Sequence, residues 1–272
     1  MSVVARRAVA WGLMLQAAAL AAAEPPVPDE RTESERRHVA PDPPQHVMGA
    51  MSNAAMIELM QMDDAASFGM LQLDQLEWSR IAGEHVAGIE GQAWYGNDYD
   101  KLWFKAEGEI SAGDYQGRTE LLWDHVLTRW FNLQSGVRQD FGPGTPRSWL
   151  AVGVQGLAPY WIEMELAAYV GDAGRTALRF TAEYDWLLTQ RLVLQPEIDV
   201  DLYGKDDVEN RIGAGLTETE LALRLRYEVR REFAPYLGVV WSRRHGDTAA
   251  LARAEGDAAD DLYFTLGLHA WF

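Results

Sequence analysis

The sequence predicts an all-β fold, a transmembrane antiparallel β-barrel of about 12 strands in a bacterial outer membrane, and three observations carry that reading. Residues 260–272 alternate without a break: Leu262, Phe264, Leu266, Leu268, Ala270 and Phe272 on one face, Tyr263, Thr265, Gly267, His269 and Trp271 on the other. A strand with one greasy side suits a wall between lipid and lumen. Arg6 and Arg7 precede an apolar run over residues 8–23 that closes on Ala21, Ala22 and Ala23, the pattern of an export signal with its cleavage site. No later apolar run is long enough for a membrane-crossing helix, so a chain that enters lipid must close its strands into a barrel.

Taken in order, residues 1–23 read as a signal peptide, because an apolar run of about 16 residues falls short of the roughly 20 that a spanning helix needs. Residues 24–70 read as a Met/Pro-rich periplasmic extension. Pro25, Pro26, Pro28, Pro41, Pro43 and Pro44 oppose regular structure over its first half, and a short helix is expected near 51–62. Residues 71–272 read as the outer-membrane barrel. Strand-like patterns lie near 71–79, 89–97, 100–111, 117–126, 129–139, 147–157, 160–171, 174–186, 190–203, 214–229, 234–243 and 260–272. Long connections at 80–88, 112–116, 140–146, 204–213 and 244–259, with a shorter one at 171–174, alternate with tight links. That alternation and the even count place both ends of the barrel in the periplasm. A soluble sandwich or lipocalin-like barrel would fill its interior with the apolar face, whereas charged interiors predict a lumen too wide for a dry core.

The formal net charge is −17, and it becomes −19 once residues 1–23, with two arginines and no acid, are removed. Such a surface disfavours nucleic acid and suits a cationic partner. The chain has no cysteine, which excludes disulfides, thiolate nucleophiles and thiolate metal sites.

The expected lumen face is acidic. Strand 190–203 turns Glu197, Asp199 and Asp201 inward, strand 160–171 adds Glu163 and Glu165, strand 174–186 adds Glu183 and Asp185, and strand 100–111 adds Glu107 and Glu109. Lys105, Arg179, Arg224, Arg226 and Arg230 offset only part of that charge. The carboxylates are either the hydrated, salt-bridged filling of a barrel or a path that concentrates cations.

A second constellation is His46, Met48, Met51, Met56, Met60 and Met62, with Met70 beyond, so six of the nine methionines fall in one stretch. Thioether sulfur selects Cu(I) without needing deprotonation. The same residues also suit a small helix packed by adaptable Met side chains. No enzyme is expected: His125 and His269 lie in strands without a serine motif, and Ser148 begins a strand.

The stretches DQLEW at 74–78, WYGNDYDKLWFKAEGE at 94–109, GVRQDFGPG at 136–144, GVQGLAPYWIEMELAAYVG at 153–171, LTQRLVLQPEIDVDLYGKDD at 188–207 and LRLRYEVRREFAPYLGVVW at 223–241 resemble the copper resistance protein B family. The likeness covers residues 71–272. It implies an outer-membrane protein of copper resistance and homeostasis that sequesters copper or lets it pass out of the periplasm, beside a periplasmic multicopper oxidase. Copper, as Cu(I) or Cu(II), is then the ligand, held by His46, Met48, Met51, Met56, Met60 and Met62. The extension departs from the richer members of the family, having scattered Met with only His38 and His46 rather than tandem repeats. The alternatives are a general cation-selective porin and a barrel lipase.

Overall fold

The computed structural model describes residues 66–272 apart from 82, 112–113 and 143. The expected signal peptide, the short helix at 51–62 and the proposed ligands from His46 to Met62 lie outside the described residues. Thirteen strands form one sheet: β1 (Phe68–Ile81), β2 (Glu84–Gly96), β3 (Asp100–Ser111), β4 (Asp114–Val126), β5 (Phe131–Phe141), β6 (Arg147–Ala158), β7 (Ile162–Gly171), β8 (Thr176–Glu183), β9 (Trp186–Leu187), β10 (Leu192–Tyr203), β11 (Gly215–Tyr227), β12 (Phe233–Arg244) and β13 (Asp260–Trp271). Each pairs antiparallel with its neighbours, and β13 pairs with β1, which closes the ring. Closure leaves no open edge to aggregate or to sit unsatisfied in lipid. Both β8 and β9 pair with β10, so they are two pieces of one transit interrupted at Tyr184 and Asp185. The thirteen strands therefore make twelve crossings, one in each expected segment.

Three local expectations are corrected. The long connection at 80–88 does not exist: β1 turns into β2 through residues 82–83, with Gly83 at φ 94° supplying the left-handed position of the turn. The small residues Ala87 and Gly88 hide the alternation of β2 in the sequence. The connection at 244–259 carries a helix, α1 (Gly246–Glu255), whose Thr248, Ala249 and Ala252 are buried. Asp185 sits in the break between β8 and β9, and Trp161 sits in the turn ahead of β7.

Outward positions are apolar and bare. Leu150 is 67% exposed, Leu262 69% and Phe264 78%, an apolar belt that water would not tolerate and lipid covers. One rim carries a dense set of exposed aromatics, including Tyr95, Tyr99, Trp123, Trp130, Tyr160 and Trp161, while Trp78, Tyr115 and Phe141 mark the other. These are the two interfacial girdles of an outer-membrane barrel. The rim of short turns, which also holds the first residues of β1 and the last of β13, is the periplasmic one. There the β6–β7 turn holds Tyr160 and Trp161 at φ 70° and 64°, positions bulky residues adopt only at a cost of about 1–3 kcal/mol each. The edge of Trp161 rests on Trp130, ring centroids 6.3 Å apart.

Candidate functional site: the lumen

Many inward positions are polar or small, and the pleat brings them into register. Glu163 of β7, Glu183 of β8 and Glu197 of β10 are successive cross-strand partners, so three acids stand side by side on the wall. Like charges directly opposite one another destabilise a sheet, and such a row persists only where counter-charges or water reach it. Arg224 of β11 reaches Glu197, donates from Nε to Glu77 Oε1 at 2.8 Å, and donates to Gln75 Oε1 at 3.0 Å. The Tyr236 hydroxyl of β12 donates to the same Glu77 oxygen at 2.9 Å. It gets there by lying over Gly267 of β13, where a Cβ would sit 2.3 Å from the ring. Glycine at 267 is therefore what lets β12 reach past β13 to β1.

The ion pairs decide how much acid is free. Of the nine predicted lumen acids, six pair with a base: Glu107 with Arg118 and Arg179, Glu165 with Lys105 at 2.5 Å, Asp185 with Arg226 at 2.5 Å, Glu197 with Arg224, and Asp199 and Asp201 with Arg179 at 3.1 and 3.8 Å. Glu109, Glu163 and Glu183 form no ion pair with a base among the described residues. Glu109 bonds Gln116, and Glu183 accepts from Gln195 Nε2 at 2.9 Å. Bases thus offset part of the acid, and Arg118 and Arg138 also point inward beside those that the sequence pattern marks. Both lie on plain alternations, Arg118-Glu120-Leu122-Asp124 and Gln134-Gly136-Arg138-Asp140, which were the signal for them. Arg230, in contrast, lies in the β11–β12 turn.

The lumen is also not wide and empty. Lys105 of β3 donates to Gln134 of β5, Gln155 of β6 and Glu165 of β7. Tyr169 of β7 donates to Glu120 of β4 at 3.0 Å, and Arg138 of β5 donates to the Tyr203 hydroxyl of β10 at 3.1 Å. Trp103, Leu122, Trp149, Ala151 and Tyr169 form an apolar cluster on the inner wall. A cavity of about 750 Å³ remains. Its mouth is framed by Trp161, Tyr184, Asp185 and Leu187 at the periplasmic rim, and its inner end is set by Glu107, Arg118 and Arg179. Glu163, Glu183, Asp74 and His269 line it between. Among the described residues no three His, Asp or Glu side chains are arranged to hold a metal ion.

The outer rim is tied differently. Arg147 Nε and Nη2 donate to Asp207 at 2.7 and 2.9 Å, and Nη2 reaches Glu209 at 3.1 Å. Arg175 approaches Asp207 at 3.7 Å, and Asn210 donates to it at 2.9 Å. The Arg147 hydrogen bonds, helped by Asn210 and Arg175, hold the Asp207 carboxyl below the ordinary carboxylate range. Thr248 of α1 accepts from the Gly213 N–H, which fastens the helix to the 204–214 connection. Elsewhere His125 pairs with Asp100 at 2.8 Å, His269 Nδ1 donates to the Asp74 carbonyl, and Ser148 donates to Gln139.

The family described as "Copper resistance protein B precursor (CopB)" matches residues 67–272, the whole barrel. The chain belongs to the copper resistance protein B family. It is 46% identical over 210 residues to copper resistance protein B of Escherichia coli, covering 77% of this chain and 71% of that one. It is 39% identical over 213 residues to a copper resistance protein B homolog of Pseudomonas syringae pv. tomato, covering 78% and 72%. Among solved structures it is similar to the NanC porin at a TM-score of 0.52 and 12% identity, over 73% of this chain and 98% of that one. At that identity the likeness concerns the barrel fold alone. Family and fold together make this an outer-membrane barrel of copper resistance.

Proposed function

We propose that this CopB-family barrel limits periplasmic copper by binding it at two places, a soft-ligand extension and the acidic vestibule. In this reading residues 1–23 direct export, and residues 24–67, ahead of β1, form the periplasmic extension in which His46, Met48, Met51, Met56, Met60 and Met62 take Cu(I), since thioethers suit that ion and need no deprotonation. The vestibule attracts the ion through the acids facing it, among which Glu163 and Glu183 lack basic partners. Of the other predicted acids, Glu165, Asp185 and Glu197 serve through their ion pairs, and Glu109, Asp199 and Asp201 lie beyond the cavity. A periplasmic multicopper oxidase is the expected companion. The observation that carries the reading is the family match across a barrel whose lumen holds a cavity with its mouth among periplasmic turns.

The test is copper binding by the full chain in detergent, compared with a variant in which Met48, Met51, Met56, Met60 and Met62 are leucine and with Glu163→Gln/Glu183→Gln. Loss of tight Cu(I) binding in the leucine variant alone assigns capture to the extension. Loss in the glutamine variant alone assigns it to the vestibule. Equal, weak binding by all three would sink the copper-binding reading and favour a general cation porin.

A further inference from the structure

We propose that the contact of Glu107 with Arg118 and Arg179 is the permeability barrier of the barrel, so that the lumen is a blind vestibule rather than a through-pore. The inference concerns small ions of any kind and does not depend on copper being the ligand. Three observations lead to it. The cavity runs from the periplasmic turns inward to a level lined by Glu90, Glu107, Arg118, Tyr169 and Arg179, while the outer-half side chains Asp140, Asp201 and Tyr203 do not line it. Arg179 is on β8 and Glu107 on β3, five places apart in a ring of twelve crossings, so their 3.5 Å pair spans the lumen instead of lying along one wall. The span is braced on both sides. Arg118 of β4 holds Glu107 from the near wall, Asp199 and Asp201 of β10 hold Arg179 from the far wall, and Thr181 fixes Asp199 at 2.6 Å.

Arg138 packs over the Tyr169 ring at 4.4 Å, and its partners Asp140 and Tyr203 lie on the outer side of Glu107. Removing the Glu107 charge shifts this layer one unit towards positive, but Arg179 keeps Asp199 and Asp201, Arg118 keeps Glu120 and Arg138 keeps Asp140. Removing Arg179 leaves Glu107, Asp199 and Asp201 under-compensated there. A constriction lined by one sign of charge favours the opposite ion. Two substitutions that break one contact should thus open the barrel with unequal ion preference, the loss of Arg179 giving the stronger cation preference, a result a merely structural salt bridge would not give.

The experiment is conductance of the full chain reconstituted in planar bilayers in potassium chloride without copper, with reversal potentials under a salt gradient. The native chain is expected to conduct poorly. Glu107→Gln and Arg179→Gln are each expected to raise conductance by on the order of tenfold, the second with the stronger cation preference. Arg118→Gln replaces Arg179→Gln if that variant lacks the heat-modifiable gel mobility of a folded barrel. A native chain that already conducts as an open pore would overturn the proposal, whatever the variants do. So would folded variants that stay closed, or that open with the same selectivity.

Discussion

The two ends of this barrel use charge in opposite ways. At the outer rim Arg147 and Arg175 converge on Asp207, Arg147 also reaches Glu209, and these charges join one connection to another. At the periplasmic rim the turns are short and aromatic, and the acids inside them, Glu163 and Glu183, face a cavity instead of a base. A charge that has a partner holds structure, and a charge that lacks one shapes the field felt by whatever enters. The periplasmic half is therefore where a cation would be attracted, and the outer half is where the barrel is fastened shut.

The largest predicted effect breaks the middle layer that joins the two halves. Arg224 is 3% exposed and serves Glu77 and Glu197 together, so Arg224→Ala strands two carboxylates and should cost about 3–5 kcal/mol. Denaturant unfolding followed by heat-modifiable gel mobility would show it, and a shift under 1 kcal/mol, a floor for a broken buried pair, would mean water already serves those acids.

Loosening only the outer rim should be milder. Asp207→Asn removes charged hydrogen bonds worth about 1.5–3 kcal/mol and should expose residues 204–214 to added protease while barrel mobility on gels stays native. Acid should imitate that substitution. Because the folded Asp207 carboxyl titrates below its unfolded value, its contribution is complete above an unfolded pKa of about 3.9 and is lost as pH falls from there through the folded value. Hydrogen exchange of residues 204–214 at pH 6 and at pH 3 measures it, with the rise absent in Asp207→Asn.

The smallest effect sharpens the contrast from the other end. Glu163→Gln with Glu183→Gln relieves like charges in cross-strand register and should leave stability unchanged or raise it by about 0.2–1 kcal/mol, while weakening divalent cation binding in the vestibule. Destabilisation by this pair would show that the vestibular acids hold structure after all.

Much of this was legible in the sequence because a barrel strand declares itself twice, once by alternation and once by a turn at each end. Leu262, Phe264 and Leu266 could face only lipid if Tyr263, Thr265 and Gly267 faced the lumen, and they do. The same logic placed Glu197, Asp199 and Asp201 on one wall. It failed where residues are too small to mark a face, as at Ala87 and Gly88. It also passed over α1, whose polar, alanine-rich stretch forms a helix through packing against β11 and the 204–214 connection rather than through a strong apolar stripe.

By itself the sequence determined the fold class, the number of crossings, the face of most strand side chains and the family, because these depend on local period and on residue identity. Only the tertiary structure decided which charges meet. Glu107 and Arg179 are 72 positions apart in the chain, Glu77 and Arg224 are 147 apart, and nothing in either strand names its partner across the lumen. Ring closure brings those walls within reach of a guanidinium, and that distance, rather than composition, turns an acidic lumen into a vestibule closed at its inner end.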